Sequence, residues 1–237
     1  LFPLFTWVAF LMIACTDEKP DDPIPPVVTF YKGVDISMLP AISGSGTQFY
    51  NMNGNAGNLP EIMKLNGVNT VRVRLWHTPA NGISGLTEVA DFVKELKAKN
   101  FKVFITIHYS DTWADPGNQQ KPAAWEGLPF QVLGDSVYNY TRKVVQLLDP
   151  DIIEVGNEIN NGFLWPDGKI SNQADFVTLL KKGIQGARDA STDSEKILIH
   201  CATLDVAGWF YKILETNSVD YDIIGLSYYP FWTKITP

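Results

Sequence analysis

Glu158 has the surroundings of a reactive group. It follows Asn157 at the end of the apolar run Ile152–Gly156 (IIEVG), and Asn160 and Asn161 come just after it. A carboxyl group at a strand end faces open space above a core. Partial burial and a neighbouring anion would raise its pKa into the range useful for general acid/base work. Asn157 would then hydrogen-bond a hydroxyl beside the reacting bond. The competing reading is a loop glutamate that caps the next helix. Glu154, Gly156 and Glu158 share a parity along the run. Side chains alternate faces along a strand, so Glu154 reads as an inward carboxylate lower down. It needs a cationic partner, Arg72 or Arg74, and is taken as structural.

The other chemistry-bearing side chains fall in equivalent places. Asp35, Arg74 with Trp76, His108 to Asp111, His200, and Tyr228 with Tyr229 each sit at the C-terminal end of an apolar, Val- and Ile-rich run. The runs are Gly33–Ile36, Thr70–Leu75, Lys102–His108, Ile152–Gly156, Lys196–His200 and Ile223–Ser227. Helical patterns separate them, at Asn58–Leu65, Leu86–Lys99, Gly134–Leu148, Asn172–Asp189 and Val206–Thr216. Within Leu86–Lys99, residues Val89, Phe92, Val93 and Leu96 recur at helical spacing. Strands alternating with helices in this way imply a parallel sheet. A doubly wound sheet would gather its chemistry at one switch point. Chemistry at every strand end instead fits an α/β (β/α)8 TIM barrel, with about six β/α units in this sequence.

Composition narrows the function. Against 26 acidic residues there are 19 Lys and Arg, a net charge of −7, which argues against nucleic acid as partner. No G-x-G-x-x-G follows the first strand and no P-loop occurs, so a nucleotide site is disfavoured. The three histidines, His77, His108 and His200, lie on separate strands without H-E-x-x-H spacing, so no metal is assigned. Aromatic residues reach 12%, with 7 Trp. That richness either fills a core or supplies flat rings for sugar faces in a carbohydrate cleft. Trp76, Trp113, Trp125, Trp165 and Trp232 are candidate platforms, with Trp113 and Trp232 favoured because both follow strand ends.

The first segment reads as an address. Leu1–Ala14 is almost wholly apolar and too short to span a bilayer. Followed by Cys15, it resembles a lipoprotein signal with a lipidated cysteine, residues 1–15; a buried N-terminal helix is the alternative. Residues 16–30 are acidic and Pro-rich and suit a tether. The expected location is the outer membrane or cell surface of a Gram-negative bacterium, with the lipid anchor as the membrane contact.

Four blocks carry a resemblance to a known family: Gly33-Val34-Asp35-Ile36-Ser37, Val71-Arg72-Val73-Arg74-Leu75-Trp76, the run His108 to Gly117 (HYSDTWADPG), and Gly156-Asn157-Glu158. Together they resemble glycoside hydrolase family 53, the endo-β-1,4-galactanases of type I arabinogalactan in clan A of retaining glycosidases. The resemblance runs from about Tyr31 to the end of the sequence. It implies that Glu158 is the acid/base, Asn157 binds the sugar 2-hydroxyl, and Arg74 orients the catalytic carboxylates. His108, Asp111, Trp113 and Asp115 would line neighbouring subsites, with Asp35, Trp76 and Trp232 also toward substrate. Tyr228 and Tyr229 would hold the nucleophile. His108 taken alone could equally be a structural histidine, and Arg74 a barrel-rim ion pair.

A retaining enzyme needs a second carboxyl group about 5–5.5 Å from the first. The resemblance places it on a seventh barrel strand. Beyond Glu158 the sequence holds only Glu195, before a strand, and Glu215, in a helix. Residues 31–237 are therefore expected to be an incomplete barrel, poorly soluble and inactive by itself. No cofactor is required for this chemistry, and a structural calcium is conceivable only in a C-terminal region outside this sequence. Alternatives are another clan A glycosidase, mannanase- or cellulase-like, or a glycan-binding lipoprotein that does not cut.

Overall fold

A computed structural model describes residues 30–191 and 195–233, with the side chains of Trp232 and Thr233 excluded. The signal segment, Cys15 and the tether up to residue 29 lie outside the described residues. In chain order the elements are β1 (Gly33–Asp35), α1 (Leu39–Gly44), β2 (Phe49–Tyr50), β3 (Ala56–Gly57), α2 (Leu59–Leu65), β4 (Thr70–Leu75) and α3 (Leu86–Ala98). They continue with β5 (Lys102–Ile107), α4 (Phe130–Leu148), β6 (Ile152–Val155), α5 (Gln173–Arg188), β7 (Lys196–Cys201), α6 (Leu204–Thr216), β8 (Ile223–Leu226) and α7 (Pro230–Thr233).

Six strands make one parallel sheet in the order β1-β4-β5-β6-β7-β8, curled as part of a (β/α)8 barrel. Consecutive large strands are neighbours, each joined to the next by a β-α-β crossover. β2 and β3 form a separate antiparallel pair. Among the described residues, β1 and β8 each have one strand neighbour.

The two faces of the sheet have opposite chemistry. Val71, Val73 and Leu75 of β4, Val103, Ile105 and Ile107 of β5, Ile153 and Val155 of β6, and Ile197, Ile199 and Cys201 of β7 are at most 1% exposed. They form the outward layer under the helices. Each such Val or Ile contributes about 1.5–3 kcal/mol through burial. The alternate positions turn inward and are largely polar: Arg72, Arg74, Thr106, Glu154 and His200. The helices answer with single apolar stripes, such as Val89, Phe92, Val93 and Leu96 on α3. Gly186 of α5 lets α4 approach closely, since a Cβ there would lie 2.4 Å from the Tyr138 carbonyl oxygen.

The structure extends two of the expected elements. α4 begins at Phe130, not Gly134, because Pro129 opens the helix and Gly134 packs inside it against Lys182. α6 begins at Leu204. The α1 helix and the β2–β3 pair were not foreseen, since runs of six and two residues carry too little periodicity.

Candidate active site

Arg72 organises the mouth of the sheet. Its Nη1 binds Asp35 at 2.8 Å on the neighbouring β1, where the two residues are register partners. Its Nε and Nη2 bind both oxygens of Glu154 at 3.1 and 3.0 Å, a bidentate pair. Nη2 also donates to Thr106 Oγ1 at 3.1 Å and to Asn157 Oδ1 at 2.8 Å. Burial pushes the Glu154 carboxyl upward, but Arg72 and His200 outweigh it and hold the group at about 2. Glu154 is therefore a fixed anion.

Arg74, expected to orient the catalytic carboxylates, stands apart from this network. It has the same parity as Arg72 and lies one pleat further along β4, level in register with Thr106 and Glu154, yet its side chain reaches neither. Its guanidinium sits 4.6 Å from the Trp76 ring and 4.8 Å from the Trp113 ring, and donates to Ser84 Oγ at 3.1 Å. Its partners are aromatic faces, the Ser84 hydroxyl and the Met38 sulfur at 3.0 Å, and its Nε is buried without a partner. Asp35 and Glu154 are bound by Arg72.

Glu158 reaches the mouth by a different route from the one its parity suggested. β6 ends at Val155. Gly156 has φ +89°, and a Cβ there would lie 2.6 Å from Ile159, so only glycine fits. Glu158 itself is left-handed at φ +51°. A non-glycine residue in this region carries strain and is characteristic of functional turns. A short 3-10 turn, Ile159–Asn161, follows, and the Glu158 side chain makes no capping bond to it. The carboxyl is half-buried and accepts a hydrogen bond from Ser227 Oγ. Gln119 Nε2 pins the loop by donating to the carbonyl of Asn157 at 2.8 Å. Asn157 donates through Nδ2 to Ala114 O at 2.8 Å, which fixes its amide orientation.

A cleft of about 530 Å³ opens here, lined by Asp35, Arg72, Trp113, Asn157, Glu158, His200, Ser227 and Tyr229, with Phe104 and Leu198 as apolar floor. Trp113 is 47% exposed at the rim, one face held by Arg74. Of the two tyrosines after β8, Tyr229 lines the cleft and Tyr228 does not. Trp232 lies in α7, and its side chain is outside the described residues.

The remaining candidates stand apart from the cleft. Asp111 accepts backbone N–H bonds from Thr78 and Ala123, both at 2.8 Å, so it ties two loops together instead of facing a subsite. Asp115 closes a local turn onto Gly117 and Asn118. His108 is buried, accepts from Ala114 N at 3.0 Å through Nδ1, and burial drives its pKa down to about 3. It is a neutral imidazole whose Nε2 has no protein partner. Trp125 packs in a core cluster with His77, Tyr109 and Tyr140. Trp165 lies under Lys169. Sequence reasoning missed Ser227 and Gln119, because one serine after a strand or one glutamine in a loop carries no distinguishing signal. Among the described residues no group of three His, Cys, Asp or Glu is placed to hold a metal.

Comparison with known proteins identifies the family. The chain is similar to the arabinogalactan endo-beta-1,4-galactanase A of Aspergillus niger, 36% identical over 221 residues, spanning 86% of this chain and 62% of that protein. It is similar to the solved GH53 catalytic domain of Ignisphaera aggregans at 40% identity and TM-score 0.82, covering 90% of this chain and 63% of the other. A solved fungal beta-1,4-galactanase matches at 34% identity and TM-score 0.81, covering 85% and 64%. The chain thus spans about six tenths of the length of these relatives. Residues 31–237 match the family model for glycosyl hydrolase family 53, and the chain belongs to that family.

Proposed function

We propose that the protein is an endo-acting glycoside hydrolase that cleaves β-1,4-galactosidic linkages in type I arabinogalactan with retention of configuration. One observation carries the chemistry: the Glu158 carboxyl stands at the cleft beside an Asn157 amide locked by Arg72. In the first step Glu158 donates its proton to the departing glycosidic oxygen while a second carboxylate attacks the anomeric carbon. In the second step Glu158 takes a proton from water, which releases the sugar. Asp35 and Glu154 are both bound to Arg72. The resemblance to the family implies that the nucleophile is a glutamate at the end of a seventh barrel strand. The names of the relatives support galactan as the substrate. Trp113, with Arg74 behind it, offers a flat rim surface to a sugar ring. The chemistry is carried by carboxyl groups and requires no cofactor.

The decisive experiment is hydrolysis of potato galactan, mannan and cellulose by the full-length protein and its Glu158→Gln variant. Galactan should be cleaved, and the variant should lose about 10²–10⁴-fold in turnover. Activity confined to mannan and cellulose would remove the substrate assignment. Undiminished turnover by the variant would remove the role of Glu158.

The apolar Leu1–Ala14 and the following Cys15 support a second element of the proposal, anchoring of the protein to a membrane surface by a lipid on Cys15. Labelled palmitate should enter the wild-type protein and not Cys15→Ala; equal labelling would refute it.

A further inference from the structure

Five side chains form an unbroken line of hydrogen bonds across the mouth of the sheet. Arg72 grips Glu154. Glu154 Oε1 lies 2.9 Å from His200 Nδ1. His200 Nε2 lies 2.9 Å from Ser227 Oγ, and Ser227 Oγ bonds Glu158 Oε1. The line starts on β4, passes through β6 and β7, and reaches the loop after β6 by way of the residue that follows β8.

Counting hydrogens along it leaves few arrangements. Glu154 is ionised by its bidentate guanidinium partner, so it can only accept. His200 Nδ1 must therefore carry a hydrogen. Ser227 has one hydroxyl hydrogen to give. If Ser227 donates to an ionised Glu158, its oxygen accepts from His200 Nε2–H, and His200 is an imidazolium. If His200 is neutral, its bare Nε2 accepts the Ser227 hydrogen, and Glu158 must be a carboxylic acid that donates to Ser227 Oγ. The two arrangements hold the same number of protons. They interconvert when the Nε2 proton moves to the serine oxygen and the serine proton moves to Glu158.

We propose that His200 and Ser227 are positioning residues that share one proton with Glu158, so that the general acid is protonated when the imidazole is neutral. The proposal rests on Glu158 being the acid/base. Adding a second proton leaves the serine hydrogen without an acceptor in the line. Removing the last one sets a single hydrogen between two acceptors. The one-proton state is therefore the one in which every hydrogen along the line has an acceptor and every contact a hydrogen. In the reaction the neutral-imidazole arrangement supplies the proton to the leaving oxygen, and the proton taken from water in the second step restores it.

Other titratable groups face the line. Asp35 is paired with Arg72. His108, which senses Glu154, is neutral. Tyr211, also near Glu154, and Cys201, near Glu158, are both raised by burial. Asp205, near Cys201, is held low by its bond to Thr203. Tyr229 lines the same cleft.

The test is the pH dependence of kcat/KM for galactan, measured on the full-length protein and on Ser227→Ala, Ser227→Thr, His200→Asn and Glu158→Gln. Ser227→Ala and His200→Asn should move the basic limb toward acid by about one pH unit. KM at the optimum pH should stay within about twofold, since the line sets the proton on Glu158 and is assigned no contact to the sugar. Ser227→Thr retains a hydroxyl and should keep the limb in place. A uniform loss of rate with both limbs unmoved in Ser227→Ala and His200→Asn would mean packing alone and overturn the proposal. So would a threonine limb displaced as far as the alanine one. If Ser227→Ala fails to fold by circular dichroism, His200→Asn decides. A Glu158→Gln variant that still turns over galactan would instead defeat the underlying reading, so the two failures are distinguishable.

Discussion

Glu154 and Glu195 are two buried glutamates with opposite fates. Glu154, inside the sheet, is 1% exposed, and both its oxygens meet Arg72, with His200 behind. Glu195, just before β7 at the other end of the sheet, is 8% exposed, and its Oε1 has no partner. It lines a small hollow with Val145, Asp149, Pro150 and Ala190. Burial raises the pKa of both. At Glu154 the Arg72 guanidinium and His200 reverse the effect and hold the group at about 2. At Glu195 burial prevails over Arg188, with Asp149 and Asp222 adding to it, and the group rises to about 8. The difference shows that enclosure does not decide ionisation; the partners do. It also locates the preorganised electrostatics at the C-terminal ends of the strands, where a barrel does its chemistry.

The sharpest way to break the contrast is Arg72→Ala. It leaves Glu154 buried beside only a histidine, and should cost about 3–5 kcal/mol in urea unfolding. A loss below about 1 kcal/mol would show that the pair is not a structural anchor. Next in size is a pH effect. Glu154 is lower in the folded state than its ordinary 4.5, so the unfolded chain binds more protons below that value. Stability should be complete above pH 4.5 and fall as the pH drops toward 2. Arg72→Ala should flatten that slope in thermal melts, and an unchanged slope would assign it to other carboxylates. The smallest effect is at Glu195, where the sign reverses. Its folded pKa is raised, so the folded chain binds more protons between pH 4.5 and 8, and stability should decline across that window. Glu195→Gln should match the wild type in Tm at pH 4 and exceed it at pH 9. A lower Tm at pH 9 would show that the charged form is accommodated.

Much of the fold is legible in the residues. The six apolar runs, separated by helical patterns, appear as six parallel strands in sequence order. The chemistry-bearing residues do gather at one end. Asn157 and Glu158 stand at the cleft, and Glu154 is paired with Arg72, one of its two candidate partners. What the pattern could not rank was the pair Arg72 and Arg74. They share a face and a residue type, and only the partners their side chains reach distinguish them, carboxylates for Arg72 and tryptophan faces for Arg74. The parity argument also ran past the end of β6, which stops at Val155. Gly156 turns into the left-handed region, so the position of Glu158 follows from two positive φ angles and not from strand alternation. Asp111 illustrates the opposite error, a carboxylate in a motif rich in polar residues that is consumed by two backbone amides.

Alternation of apolar and polar residues, local and periodic, by itself determined the sheet, its parallel order and the end at which the polar groups collect. Tertiary structure decided which guanidinium meets which carboxylate, and whether a buried glutamate finds a partner at all. It also joined His200 and Ser227 to Glu158 across three strands. Those outcomes depend on distances of a few ångströms between residues far apart in the chain, which no local pattern encodes.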